Sequence, residues 1–247
     1  MSLTVIIPVK NEENLILKTL KEFQNSWLTN IDHEIIIVND NSTDKTVEIV
    51  KSSNFNNLKI LLVNNTKVGL GSAIIFGINN ASKEFVCIFM ADMSDNLDDL
   101  KKYYEKIKND NSLDSVFGSR FIKDSKITNY PKFKLLLNRL ANNFIKIIFF
   151  SKYNDFTNAF KIYRRSTLLK LYPLVSENFN IFLELPLKIE CRKFKYIIVP
   201  IKWNGREFGT SKFNFKELGS KYIFTMLYCL LEKILLKKKE TNDQDKT

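Results

Sequence analysis

The stretch Leu3-Thr4-Val5-Ile6-Ile7-Pro8-Val9 is mostly apolar and rich in β-branched residues, and the polar residues Lys10-Asn11-Glu12 follow it directly. A short apolar run of this kind predicts a buried strand. Similar runs recur in the first half of the chain, and the predicted strands are 4–9, 34–38, 58–63, 85–90 and 115–118. Segments of helical period separate them, at 15–27, 44–51, 71–80 and 97–107. This alternation predicts an α/β fold with a mostly parallel central sheet flanked by helices.

Polar segments follow the predicted strands. Ligands of open parallel sheets lie beyond the carboxyl ends of the strands, so these segments form the candidate site. They are Pro8-Val9-Lys10-Asn11-Glu12, Asn39-Asp40-Asn41-Ser42-Thr43-Asp44, Gly69-Leu70-Gly71, Ala91-Asp92-Met93-Ser94-Asp95 and Gly118-Ser119-Arg120. The first contains no glycine, which excludes an NAD-type fingerprint. Gly69-Leu70-Gly71 lacks the Lys-Ser/Thr of a P-loop, and it is either a turn or a phosphate cradle.

The two halves of the chain differ in charge. Residues 1–119 contain 12 basic and 16 acidic side chains, whereas residues 120–247 contain 26 basic and 11 acidic ones. The formal net charge of +11 indicates an anionic partner. Nucleic acid fits poorly, because the chain contains no zinc finger or aromatic-rich RNA-binding signature and its strand-end carboxylates would repel phosphate. We therefore expect no nucleic acid among the partners.

Cysteine and histidine are scarce. Cys87, Cys191 and Cys229 lie far apart and form no CxxC pair, which favours a reducing compartment over a disulfide framework. The single histidine, His33, opens an apolar run and is interpreted as a strand-entry residue, so a histidine-rich zinc site is excluded. The sequence begins directly with a strand, which leaves no room for a signal peptide. These features predict a cytoplasmic location.

The second half contains two long, basic, amphipathic segments, at 131–150 and 215–236. Neither has the roughly 18 to 20 uninterrupted apolar residues that a membrane crossing needs. Basic amphipathic helices can lie in a membrane interface, with the apolar face in the acyl boundary and lysines at anionic head groups. The alternative is that both helices pack on the sheet and expose a charged face to water.

The strand-end segments resemble, in their order, the signatures of family-2 inverting glycosyltransferases with the GT-A fold. The run Trp203-Asn204-Gly205-Arg206-Glu207-Phe208-Gly209-Thr210-Ser211-Lys212-Phe213 is similar to the Arg-x-x-Gly-x-Ser-Lys element of dolichol-phosphate mannose synthases and their bacterial polyprenyl-phosphate relatives. The resemblance covers residues 3–216. It implies a GT-A domain at 1–216, followed at 217–247 by an amphipathic helix and a basic, polar tail.

The resemblance also implies which residues bind the nucleotide sugar. They are Pro8, Lys10, Glu12, Val38, Asp40, Ala91, Asp92, Ser94 and Arg120. A nucleotide base presents N–H donors, so the Asp40 carboxylate is expected to orient the base rather than to cap the following helix, which Ser42 or Thr43 would do better. Glu12 has a second possible role, because an acidic side chain at a helix entrance complements the helix dipole.

A divalent cation, Mg²⁺ or Mn²⁺, is implied as well, because the charge that develops on a diphosphate leaving group must be neutralised. The related enzymes carry Asp-x-Asp here, whereas this chain reads Met90-Ala91-Asp92 and lacks the first carboxylate. Asp92, as the catalytic carboxylate, and Ser94 are the expected metal residues. Asp95 is either a further ligand or the cap of the next helix.

Three basic residues, Arg120, Arg206 and Lys212, stand where the family binds donor and acceptor phosphates, and the last two are expected to be catalytic. A polyprenyl phosphate acceptor is already ionised and needs no base. A sugar hydroxyl needs a carboxylate base, for which the matching region offers Glu184. The alternative to a lipid phosphate acceptor is therefore a hydroxyl acceptor in cell-surface polysaccharide synthesis, with Glu184 as base.

The expected enzyme moves a hexose of mannose or glucose type, with inversion, from a nucleotide diphosphate sugar to a polyprenyl phosphate, either dolichyl or undecaprenyl. We expect it to be a peripheral protein on the cytoplasmic face of a membrane.

Overall fold

Helices and strands alternate along the first half of the chain, as the sequence predicts. The computed structural model describes residues 1–205 and 215–244. The strands are β1 (Leu3–Val9), β2 (His33–Asn39), β3 (Ile60–Asn64), β4 (Phe85–Ile88), β5 (Ser115–Ser119), β6 (Lys126–Thr128), β7 (Lys161–Arg164), β8 (Tyr196–Pro200) and β9 (Lys202–Asn204). The helices are α1 (Ile16–Gln24), α2 (Thr46–Ser52), α3 (Leu70–Asn80), α4 (Leu97–Asn109), α5 (Lys132–Phe149), α6 (Arg165–Lys170), α7 (Ile181–Cys191) and α8 (Phe215–Gln244).

Within the described ranges, seven strands form the central sheet in the order β3-β2-β1-β4-β7-β5-β8. β7 runs antiparallel to its neighbours β4 and β5, and the other pairs are parallel. The predicted mostly parallel α/β sheet is therefore confirmed. β6 and β9 form a small parallel sheet of their own.

The core lies on both faces of the sheet. Alternate side chains of β1 point to opposite faces, so that Val5 and Ile7 join one cluster and Ile6 joins the other. α1 and α4 cover the first face through residues such as Leu20 and Tyr103. α3, α5, α7 and α8 cover the second face.

Some predicted boundaries are wrong by a few residues. The predicted helix 15–27 ends earlier, because α1 stops at Gln24 and a separate 3₁₀ turn occupies Trp27–Asn30. The Ser26 side chain accepts a hydrogen bond from the backbone N–H of Leu28 and so begins that turn. His33 is confirmed as the first residue of β2, where it is buried and its Nδ1 lies 2.9 Å from the carbonyl oxygen of Ile31.

The two basic segments of the second half form helices, α5 and α8, which contribute to the same core cluster. They meet where the Lys233 ammonium of α8 donates to the carbonyl of Phe149, at 2.6 Å. Among the described helices, none combines the length and apolar character needed to span a bilayer.

Candidate active site

The carboxyl ends of β1 and β2 bring Lys10 and Asp40 together. The two strands are in register with Val9 opposite Asn39, so each of these residues follows its strand by one position. The Lys10 ammonium lies 3.5 Å from Asp40 Oδ2. Pro8 and Val38 are opposite each other one step earlier and are buried. Four residues predicted to bind the nucleotide sugar therefore share one end of the sheet.

Hydrogen bonds fix the orientation of the Asp40 carboxylate, which is only 5% exposed. Its Oδ1 accepts hydrogen bonds from Asn65 Nδ2 and from the backbone N–H of Gly69, both at 2.9 Å. Asp40 does not cap α2. The N-cap position is Lys45, which makes no side-chain cap hydrogen bond, so the expectation of Ser42 or Thr43 as the cap is wrong. Asp44 Oδ1 accepts from both the N–H and the hydroxyl of Thr46, the first residue of the helix.

Glu12 lies at the start of α1. Its carbonyl accepts hydrogen bonds from the N–H groups of Leu15 and Ile16, and its own N–H donates to Thr46 Oγ1 at 2.8 Å. The backbone of Glu12 thus joins the first turn of α1 to α2. This position is compatible with both roles that the sequence leaves open, beside the nucleoside and at the helix dipole.

The Gly69-Leu70-Gly71 segment is a close-packed turn. The N–H groups of Gly71 and Ser72 both donate to the carbonyl of Glu177. A phosphate cradle would need these same N–H donors, and they are already used. Gly69 has a φ of +130°, and a Cβ on Gly71 would lie 2.2 Å from the carbonyl oxygen of Ser176. Glycine is required here because the 176–177 backbone approaches the start of α3.

Asp92 follows β4 and is 9% exposed. Its Oδ1 accepts from the N–H of Ser94 at 3.1 Å and from the Ser94 hydroxyl at 2.6 Å. β9 holds the same loop, because the N–H of Asn204 donates to the carbonyl of Ser94 and Trp203 pairs with Asp95. Ala91 is buried, and its carbonyl accepts from the hydroxyl of Thr19. Asp92 and Ser94, the two expected metal residues, are thus in hydrogen-bond contact with each other.

Asp95 is buried next to Asp92 and does not cap α4. The cap is Asn96, whose side chain accepts from the N–H groups of Asp98 and Asp99. One carboxylate oxygen of Asp95, Oδ1, has no hydrogen-bond partner. Burial and, to a smaller extent, the negative charge of Asp92 raise the pKa of Asp95 to about 8.

Arg120 is held in a buried ion pair with Asp155. Its backbone N–H and Nε donate to Asp155 Oδ2 at 2.8 and 2.9 Å, and Nη2 donates to Oδ1 at 2.6 Å. Burial by itself would lower the pKa of Arg120, but the attraction to Asp155 raises it above its ordinary value. The rings of Phe121, Tyr130 and Trp203 surround the guanidinium, with centroids 5.3 to 6.0 Å from Cζ.

Arg206, Lys212 and Glu184 are the remaining predicted residues, and none of them is placed at the strand ends by the described structure. Arg206 and Lys212 lie outside the described residues, and the described chain leads toward them from β9, where the N–H of Gly205 donates to the carbonyl of Thr128. Glu184 is fully buried. Its carboxylate accepts from the N–H groups of Val175 and Ser176 and lies 3.3 Å from the Lys188 ammonium.

The structure adds further polar groups to those of the predicted site. Asn65, a partner of Asp40, follows β3 directly, so the strand-end rule would have found it. Lys161 lies in β7, and its ammonium donates to the carbonyls of Phe156 and Asn158. Burial lowers the pKa of Lys161 to about 7.

The sequence model of the family described as glycosyl transferase family 2 matches residues 4–171. The chain belongs to glycosyl transferase family 2. This confirms the resemblance found in the sequence.

Two curated relatives are each 28% identical to this family-2 chain. Dolichol-phosphate mannosyltransferase of Pyrococcus furiosus aligns over 223 residues, which are 88% of this chain and 61% of that protein. Dolichyl-phosphate beta-glucosyltransferase of Trichomonas vaginalis aligns over 221 residues, 85% of this chain and 65% of that protein. The chain thus spans less than two thirds of the length of both relatives.

A solved structure shows the same fold. Glucosyl-3-phosphoglycerate synthase from Mycobacterium tuberculosis, in complex with Mn²⁺, uridine-diphosphate and glucosyl-3-phosphoglycerate, matches with a TM-score of 0.67 at 14% identity. The match covers 93% of this family-2 chain and 80% of that structure. The predicted GT-A fold is therefore confirmed.

Proposed function

We propose that this family-2 chain transfers a hexose, with inversion, from a nucleotide diphosphate sugar to a polyprenyl phosphate at a membrane surface. The observation that carries the proposal is the combination of a polar donor site at the strand ends with two helices whose apolar faces are exposed. The names of the two curated relatives, which both include a dolichyl phosphate, support the same acceptor class.

The donor half of the site would lie along β1, β2 and β4. The buried, oriented Asp40 carboxylate would accept an N–H of the base through Oδ2, because Oδ1 already binds Asn65 and Gly69. Lys10, 41% exposed at its side chain, would lie beside the nucleoside and its phosphates. Arg120 would contribute positive charge near the diphosphate from its fixed position on Asp155.

A divalent cation fits the residues present if the donor supplies most of its ligands. Among the described residues no group of three His, Cys, Asp or Glu side chains could hold a metal, so Asp92, with Ser94 beside it, would provide the protein contribution. Magnesium commonly binds in this way, through one or two carboxylates and substrate phosphates. When bound, Mg²⁺ or Mn²⁺ would neutralise charge on the departing diphosphate.

The position of Glu184 supports a phosphate acceptor over a hydroxyl acceptor. A hydroxyl acceptor needs a base, and the carboxylate proposed for that role is fully buried and holds the 175–176 backbone and Lys188. A lipid phosphate oxygen is already ionised and can attack the anomeric carbon directly, while the bond from that carbon to the diphosphate oxygen breaks. Arg206 and Lys212 would neutralise the two phosphate groups as they approach.

Membrane contact is supported by the polarity of α5 and α8. Large apolar side chains are exposed on α5, namely Phe133, Leu136, Leu137, Leu140, Phe144 and Ile147. Others are exposed on α8, namely Ile223, Phe224, Leu227, Leu231, Ile234 and Leu235. An exposed apolar surface of this extent, flanked by lysines and arginines, suits insertion among anionic head groups. The free, buried Cys87, Cys191 and Cys229 are consistent with a reducing cytoplasmic side.

The proposal is tested with a panel of radiolabelled nucleotide sugars, Mg²⁺ and vesicles that contain a polyprenyl phosphate. We expect label from one nucleotide sugar to enter the organic phase with the wild-type protein and not with Asp92→Asn. A panel without any lipid-soluble label, or equal labelling by both proteins, would contradict the proposal.

A further inference from the structure

A partly buried polar network connects α5 to the Arg120 guanidinium, and the half-buried Thr157 is its centre. The Nη2 of Arg120 donates to Asp155 Oδ1 and lies 3.4 Å from Thr157 Oγ1. The same hydroxyl oxygen accepts from the side-chain amides of Asn138 and Asn142, both at 3.1 Å. The amide of Asn142 also accepts from the backbone N–H of Thr157, at 3.3 Å.

α5 buries one amide among apolar side chains and exposes large apolar side chains, because Asn142 shares its packed face with Ile145 and Phe149. Asn142 is fully buried in its inward face, one helical turn from Asn138, whereas Phe133, Phe144 and Ile147 are at least 60% exposed. Burying an amide costs free energy unless it is hydrogen-bonded, and an apolar residue would pack in the same place without that cost. Packing alone therefore does not account for an asparagine at position 142.

The geometry points to a positioning role for these residues. We propose that Asn142 and Thr157 are positioning residues. They fix the Arg120 guanidinium relative to α5, so that it can bind a substrate phosphate. This inference rests on the proposed function, in which α5 lies on the membrane and Arg120 binds a substrate phosphate. Asp155 binds one edge of the guanidinium, and Thr157 Oγ1 accepts a long hydrogen bond of 3.4 Å from Nη2. The position of the Arg120 guanidinium therefore depends on where α5 packs against the rest of the domain.

The phosphate concerned belongs either to the nucleotide sugar or to the lipid acceptor, and kinetics distinguish the two. Thr157→Val keeps the shape of the side chain but removes the hydroxyl, whereas Thr157→Ser keeps the hydroxyl. We expect Thr157→Val to raise the KM of one phosphate substrate about tenfold and to leave the other within about twofold, as for a weakened charge-assisted hydrogen bond. Thr157→Ser is expected to restore the wild-type KM.

Asn142→Leu tests the link to α5. We expect it to raise the same KM as Thr157→Val, and we expect the double variant to show no further increase, because both changes break one network. Asn143→Leu is the matched control, since it makes the same substitution at the exposed neighbouring position. Thermal unfolding of every variant shows whether a change in KM merely reflects loss of the fold.

The outcomes separate this inference from the proposed function. If the wild-type protein forms the glycolipid but Thr157→Val keeps both wild-type KM values, or behaves like Thr157→Ser, the positioning role is wrong and the proposed function stands. Equal increases in both KM values that follow a loss of thermal stability would also overturn it. A wild-type protein that forms no glycolipid would overturn the proposed function and the inference together.

Discussion

The double substitution Phe133→Ser and Phe144→Ser should weaken membrane binding without weakening the fold. Phe133 is 74% exposed and Phe144 is 60% exposed, both on α5. Neither ring contributes much to the folded core, so the free energy of unfolding should change by less than about 0.5 kcal/mol. If the exposed face of α5 inserts into a bilayer, both rings leave water when the protein binds.

The size of the effect follows from the exposed fractions. Removing a whole phenylalanine side chain from water is worth about 1.5–3 kcal/mol. At the exposed fractions of Phe133 and Phe144, each ring should contribute about 1–2 kcal/mol to binding. The pair should contribute about 2–4 kcal/mol, which is roughly a 30- to 1000-fold change in the partition coefficient.

Co-sedimentation with anionic vesicles measures this change. Val68→Ser is the matched control, because Val68 is 68% exposed but lies in the loop before α3 rather than on α5 or α8. High salt should also release the wild-type protein, since each lysine near an anionic surface contributes about 1 kcal/mol. Vesicle binding by the double variant within twofold of wild type would refute the insertion of α5.

Three further substitutions test other parts of the site. Asp92→Asn should abolish sugar transfer while circular dichroism stays unchanged, and turnover close to the wild-type rate would make Asp92 a structural residue. Asp95→Asn should stabilise the protein increasingly as the pH rises from 5 to 8, by up to roughly 1 kcal/mol per pH unit, because the folded wild type retains a proton up to a pKa of about 8 that the unfolded chain loses near 4. Denaturant unfolding of both proteins at several pH values checks this, and a stability difference that is independent of pH would contradict it. Glu184→Gln should lower the free energy of unfolding by a few kcal/mol, because it leaves Lys188 in a buried site with a weaker partner, and a rate loss at unchanged stability would instead indicate a general base.

The strands, and the placement of polar residues at one end of the sheet, could be predicted from local sequence patterns. Apolar β-branched runs place β1, β2 and β4, and the rule that ligands bind at strand ends places Lys10, Asp40 and Asp92 at one end of the sheet. These predictions succeed because each depends only on a local pattern, that is, on an apolar run and the few residues that follow it. The helical period of 131–150 and 215–236 predicts α5 and α8 in the same way.

Contacts between distant segments could not be predicted in this way. The ion pair between Arg120 and Asp155 joins residues 35 positions apart. The need for glycine at Gly71 depends on the Ser176 backbone, which arrives from another part of the chain. The sequence left α5 with two alternatives, insertion in a membrane or packing on the sheet. The structure shows that α5 packs on the sheet through Ile145 and Phe149, with the amide of Asn142 buried beside them, while Phe133 and other large apolar side chains stay exposed.

The central claim is that the acceptor is a lipid phosphate, and a matched pair of lipids tests it most directly. The wild-type protein is given the nucleotide sugar that it uses, together with vesicles that contain either a polyprenyl phosphate or the polyprenyl alcohol of the same chain length. We predict labelled lipid with the phosphate and none with the alcohol, because the ionised phosphate needs no base whereas the alcohol does. Equal transfer to the alcohol, or transfer only to an added sugar acceptor, would contradict the account.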